Sequence, residues 1–135
     1  MRCGGFSFVE ILVAVAVIAV LSALLLPRIA GIDEASHTAV ARQQQAELQT
    51  ALGNWIIAQS SRPGGLAAAR DAYTGTNVVN KLDLLQPYLQ ASTYGSLDAD
   101  GDTVESPALD KANAYLQFSP WTVSSQQPIV EWKNK

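Results

Sequence analysis

The sequence predicts an α+β protein: one long N-terminal helix, apolar in its first half and amphipathic in its second, packed against a small antiparallel sheet. Three observations carry that expectation. Residues 11–26 contain no charge between Glu10 and the Pro27-Arg28 pair. Further on, Ala41, Gln45, Leu48, Leu52 and Trp55, with Ile56 alongside, follow the i, i+4, i+7 spacing of an amphipathic helix. Near the C-terminus Ala114, Leu116 and Phe118 alternate with Tyr115, Gln117 and Ser119, and Val130 and Trp132 alternate with Ile129, Glu131 and Lys133, the period-2 pattern of half-buried strands.

Taken in order, the apolar run from Phe8 to Leu26 is close to the ~20 residues that a helix needs to span a bilayer. Pro27 and Gly31 follow, and Pro removes a backbone hydrogen bond and clashes one turn back, so a helix kink is expected there. Residues 33–47 offer only alanines and Val40, too weak a stripe for a thick core. The stronger stripe after Ala41 carries the helix to Ser60, where Ser61, Arg62, Pro63, Gly64 and Gly65 break it. Residues 66–77 read as a surface connection with one helical turn over 66–70. Leu82, Leu85 and Leu89 recur at helical spacing, with Pro87 dividing that segment. After the strand at Ala114, Leu116 and Phe118, the pair Trp121 and Val123 extends it past Pro120, and residues 124–128 make a hairpin connection. The predicted division is a leader at 1–5, a membrane or filament-core helix at 6–27, the amphipathic half at 28–62 and a small α+β head at 63–135.

At 135 residues there is room for one small domain, which must borrow the second half of the long helix for its core. The formal charge of −3 becomes −4 when the one positive charge of Arg2 is removed, and Arg28, Arg42, Arg62, Arg70 and Lys81 are scattered, so no nucleic-acid partner is expected. The one cysteine, Cys3, lies in the predicted leader, which leaves no disulfide for the head. His37 is the one histidine and reads as a solvated surface residue. With no nucleophile elbow, P-loop or CxxC pair, the chain is not expected to be an enzyme. Trp55, Trp121 and Trp132 read as core or subunit-contact aromatics.

Glu10 is the anomaly. An unpaired carboxylate entering lipid costs about 2.5–3.5 kcal/mol or more. The cation in reach is the α-amine of Phe6, four residues earlier, which exists only if the chain is cut between Gly5 and Phe6. A secretory signal peptide shares the basic start and apolar segment, but its apolar region is shorter and has no acid at its head.

Gly5, Phe6, Glu10 and Pro27 together resemble the type IV pilin family, which includes the pseudopilins of type II secretion. The resemblance covers the first 29 residues or so. It implies a pilin-like fold and a prepilin peptidase that removes residues 1–5 and methylates the Phe6 amine. It also implies that Glu10 neutralises an N-terminal amine during assembly. The expected partners are further copies and other pilin-like subunits, the peptidase, an inner-membrane assembly platform, and the membrane before assembly. The expected location is the bacterial inner membrane, single-pass with the C-terminal domain in the periplasm, and then an envelope-spanning or extracellular filament. The alternatives are a membrane-anchored binding domain, or a pilin for adhesion or DNA uptake.

Asp98, Asp100, Asp102, Glu105 and Asp110 form a candidate Ca2+ loop, since alternating aspartates around Gly101 let carboxylates converge on a hard cation. The match to a calcium-binding helix-loop-helix is imperfect, with Gly101 two places early and Asp110 one late. An ordinary acidic turn is the equal alternative. The resemblance to major pseudopilins, which bind calcium in a loop of similar placement, supports the first reading.

Overall fold

The computed structural model describes residues 7–125 and 127–135, without the side chains of residues 25–32. The chain divides into two compact units, Met1–Ser36 and His37–Lys135. Helix α1 (Phe8–Ser60) supplies the described part of the first unit and the first element of the second. The leader and the cleavage junction Gly5-Phe6 lie outside the described residues. The expected kink at Pro27 and Gly31 falls among residues whose side chains are outside them too.

In the second unit, α1 is followed by α2 (Gly65–Thr74), α3 (Val78–Leu85) with a 3-10 turn (Gln86–Tyr88), and the short α4 (Ala91–Tyr94). Strands β1 (Asp98–Asp100) and β2 (Thr103–Glu105), helix α5 (Pro107–Lys111), and strands β3 (Ala114–Phe118) and β4 (Val130–Asn134) complete it. Among the described residues these strands form one antiparallel sheet in the order β1-β2-β3-β4. The predicted α+β fold, a long helix with a small antiparallel sheet, is the fold observed.

The core lies between the C-terminal part of α1 and the sheet. Ala41, Leu48, Ala51, Leu52, Trp55 and Ile56 are buried with Val104, Leu116, Phe118 and Val130. Burying a large apolar side chain contributes about 1.5–3 kcal/mol, so this stripe is the main attachment of helix to sheet. Ala114, Leu116 and Phe118 point inward as their alternation requires.

One position in the helical stripe differs from expectation. Gln44, not Gln45, is the buried glutamine, because a 3.6-residue period accepts a step of three from Ala41 as readily as four. Gln44 donates to Ser96 Oγ at 3.0 Å and accepts from Ser106 Oγ at 2.7 Å, which satisfies both ends of its amide.

Gln45 has a different task. Its Nε2 donates to the Val130 carbonyl at 2.9 Å, while Gln49 Oε1 accepts from the Val130 N–H at 2.7 Å. Val130 lies on the sheet's outer strand, so two glutamines one turn apart stand in for a neighbouring strand and cover part of an open edge. Arg42 orients Gln45 through a 3.1 Å bond to its Oε1 and lies 3.8 Å over the Trp132 ring.

Other expectations are corrected by packing. Residues 66–77 are not mainly a connection: α2 forms because Ala69 and Tyr73, four apart, both reach the core. Tyr73 packs edge-on against Trp121, with centroids 5.9 Å apart, and donates its hydroxyl to the Ser119 carbonyl at 2.8 Å. The expected strand at Trp121 and Val123 does not form. Pro120 has no N–H to donate, and Thr122 closes a turn instead, with its N–H on Ser125 Oγ at 2.8 Å. The link from β3 to β4 is therefore a longer loop, closed by the Ser119 N–H on the Ile129 carbonyl at 2.9 Å.

The acidic segment is also more regular than a loop. β1 and β2 pair Asp100 with Thr103 across a two-residue turn, and Gly101 at its first place has φ 59°, which suits a type II′ hairpin. Gly64, with φ 95°, opens α2, and a Cβ there would lie 2.7 Å from that of Ala68.

Candidate processing and assembly segment

The described N-terminal segment begins at Ser7, just ahead of α1. The Ser7 N–H donates to Glu10 Oε2 at 3.3 Å, and the Glu10 N–H bonds the Ser7 carbonyl at 2.9 Å. Ser7-Phe8-Val9-Glu10 is thus an S-x-x-E pattern whose acid reaches back to the N-cap backbone, one half of a capping box. Within one chain, Glu10 also lies where a helix dipole favours negative charge. That spacing was visible in the sequence, although charge balance alone drew attention to the residue.

From Ile11 to Leu24 the helix has no polar face. Phe8 is 75% exposed, Ile18 62% and Leu24 66%, and Val9, Ile11, Leu12, Val13, Val15, Val17, Val20 and Leu21 are exposed as well. A helix apolar on every side belongs in lipid or in the core of an assembly, since water would solvate neither face. Among the described residues, however, no helix is long and apolar enough to cross a membrane. The expected span is not met there because the described apolar side chains end at Leu24, short of the ~20 residues required, while Leu25 and Leu26 lie outside them.

Residues 1–26 match the family model for the prokaryotic N-terminal methylation motif, which is characteristic of type IV pilin and pseudopilin precursors. The chain carries a prepilin-type N-terminus. That motif marks a substrate of prepilin peptidase and implies a membrane-anchored precursor that passes into a filament. The family that this motif characterises is structural. No curated protein and no solved structure matches the chain. The match ends at residue 26, so the head unit is read from its own geometry.

The candidate calcium residues of this prepilin-type chain are spread over three elements. Asp98 and Asp100 are on β1, Asp102 is in the hairpin turn, Glu105 is on β2 directly across from Asp98, and Asp110 is on α5. Glu105 and Asp110 both bind Lys135 Nζ, the former at 3.0 Å. These two carboxylates hold the Lys135 ammonium above its ordinary range, Asp110 more than Glu105. Asp98 Oδ1 accepts the Ala99 N–H at 2.9 Å, and the charge of Asp102 favours the ammonium form of Lys81. Among the described residues no group of three or more His, Cys, Asp or Glu is placed to hold a metal ion. Glu105 and Asp110 are instead paired with a cation of the chain itself. Lys135, not singled out in the sequence, supplies a cation where an ion was expected.

His37 is half-buried, not a solvated surface residue. Its Nε2 lies 3.1 Å from Lys111 Nζ at one end of a groove of about 400 Å³ between α1, α4 and α5. Trp55 and Trp121 are core aromatics, 3% and 2% exposed. On the opposite part of the unit, Lys81 Nζ sits 4.2 Å over the Tyr73 ring; burial lowers its pKa, partly offset by Asp102. Burial also pushes the Tyr73 hydroxyl above its ordinary range.

Proposed function

We propose that this chain is the precursor of a filament subunit, cut between Gly5 and Phe6, methylated on the new Phe6 amine and polymerised through its apolar helix. The observation that carries the reading is the methylation-motif match over residues 1–26, joined to a helix whose apolar side chains find no cover within the chain. The membrane holds the subunit before assembly, anchored by the apolar run with the head on the periplasmic side. Glu10 pairs with the Phe6 amine of a neighbouring subunit in the filament core. In the precursor the same carboxylate caps its own helix, so assembly exchanges a backbone N–H partner for a cationic one.

Of the filament types, a type II secretion pseudopilus is favoured over a displayed pilus. The mature chain has no cysteine for the C-terminal disulfide common among pilus-forming members, and its scattered cations offer no DNA-binding patch. The inner-membrane assembly platform and other pilin-like subunits are the implied partners.

The test is the intact mass of the membrane-extracted protein. Loss of residues 1–5 with one added methyl group supports the reading, and a wild-type mature chain that keeps Arg2 overturns it. Gly5→Leu accumulates uncut precursor, because a Cβ blocks close approach of the backbone to the peptidase.

A further inference from the structure

We propose that the outer edge of β4 from Trp132 to Asn134 receives the C-terminal tail of another polypeptide, added as an antiparallel strand with its terminal carboxylate on Arg42. Such a contact goes beyond filament assembly through the apolar helix and gives the head a partner of its own.

The edge is open because of the strand register. In an antiparallel pair, residues that exchange main-chain hydrogen bonds alternate with residues whose N–H and C=O point outward. The Ser119 N–H bonds the Ile129 carbonyl and the Lys135 N–H bonds the Asn113 carbonyl, so the odd-numbered residues of β4 face β3. Val130, Trp132 and Asn134 therefore turn their main-chain groups to the outer side. Gln45 and Gln49 take both groups of Val130. Among the described residues nothing takes those of Trp132 and Asn134, whose bond to each other runs between side chains. The N–H and C=O groups of these two residues are a template for an added strand.

The template is closed at one end. The two glutamine side chains occupy the place that an added strand needs beside Val130, so the strand stops level with Trp132. Arg42 stands at this closed end. Its Nη1 donates to Gln45 Oε1 at 3.1 Å, and its guanidinium carbon lies 3.8 Å from the centroid of the Trp132 ring. Trp132 is two residues after the buried Val130 and so shares the side of β4 that faces α1. A guanidinium carries five N–H donors in a fork that matches a carboxylate. Among the described residues no carboxylate pairs with Arg42, which is exposed.

Direction and charge together select which part of a partner fits. β4 runs from the closed end at Val130 toward Asn134, so an antiparallel strand runs toward the closed end and brings its terminal carboxylate to Arg42. A parallel strand would bring an α-ammonium there, cation against cation. An internal segment would have to continue past Val130, where the glutamines lie. The surface fits a chain's C-terminal end.

The experiment uses the full chain in detergent and, as probe, the hexapeptide Thr-Val-Thr-Val-Thr-Val with a fluorophore on its N-terminus, followed by anisotropy. The free acid binds about tenfold or more tightly than the same peptide with an amidated end, because the amide forfeits the charge-assisted bonds to Arg42. Arg42→Gln removes that preference and leaves the affinity for the amide unchanged. Asn134→Pro deletes one outward N–H while the bonds to β3 stay in place, and weakens both peptides; Asn134→Ala, which keeps the N–H, binds as the wild type does. Equal binding of acid and amide, a preference that survives Arg42→Gln, or undiminished binding by a folded Asn134→Pro overturns the site. So does an absence of binding at about 1 mM free acid. An amidated peptide ending in Glu that equals the free acid overturns the choice of a chain end. Where Asn134→Pro lowers the melting temperature, the Arg42→Gln comparison, made at an exposed residue, decides alone.

Discussion

The two parts of α1 use the same secondary structure for opposite ends. Residues 8–24 are apolar on every face and exposed within the chain, whereas residues 41–56 bury one stripe and leave the remainder polar. A helix hydrogen-bonds its own backbone in either setting, so the backbone does not distinguish them. Side-chain distribution does. The first segment has no internal partner and must find cover outside the chain; the second carries its partner, the sheet, in the same polypeptide. Assembly and folding are thereby assigned to separate stretches of one helix.

The sharpest way to break that division is Glu10→Val. It leaves cleavage and head stability unchanged, because the substitution makes the segment more apolar, yet electron microscopy shows no filaments once the buried amine loses its partner. Normal filaments from this variant would falsify the assigned role of Glu10.

A charge placed in each segment gives the next largest contrast. Ile18→Lys costs about 2.5–3.5 kcal/mol at an apolar site in lipid and so depletes the protein from membranes, while the head's melting temperature in detergent stays unchanged. Leu52→Ala does the reverse. It leaves a cavity beneath the sheet and destabilises the head by about 2–5 kcal/mol, read by denaturation of the detergent-solubilised chain.

Tyr73 sharpens the account of the folding half. Its hydroxyl pKa is raised by burial, so the stability tied to its protonated form is full below the unfolded value of about 10 and is lost as pH rises through the folded value. Lys81 works the other way, its lowered pKa relieving the burial penalty as pH climbs. Melting scans above pH 10 therefore show a falling branch that Tyr73→Phe reduces. At neutral pH that variant costs about 1 kcal/mol through loss of the bond to Ser119.

The smallest effects belong to the acidic hairpin. Lys135→Ala lowers the melting temperature slightly, and less so in high salt, since its ion pairs are solvent-exposed. Calcium and chelator give coincident melting curves. A clear upward shift with calcium, lost in Asp100→Ala, would instead mean that the carboxylates rearrange around an ion.

The candidate site was legible where chemistry is local. Glu10 stands out against an apolar run, Gly5-Phe6 lies four residues before it, and the S-x-x-E cap could have been read from the same stretch. The groove between α1, α4 and α5 was not legible. His37 and Lys111 are far apart in sequence, and only the fold places their nitrogens 3.1 Å apart. The acidic residues were visible as a cluster, but the pairing of Glu105 and Asp110 with Lys135 was not.

The sequence by itself determined the long helix, its change from apolar to amphipathic, the break after Ser60 and the strands at Ala114 and Val130. Each of these follows from a period or a breaker within a few residues. Tertiary structure decided what depends on distant partners. Tyr73 makes α2 a helix by reaching Trp121, Pro120 and the turn at Thr122 end a strand that alternation would have continued, and Gln45 with Gln49 covers an edge that exists only once β4 is in place. Hydrophobic periodicity reports which face is apolar, but the identity of the surface that covers that face is a long-range contact, and no local pattern encodes it.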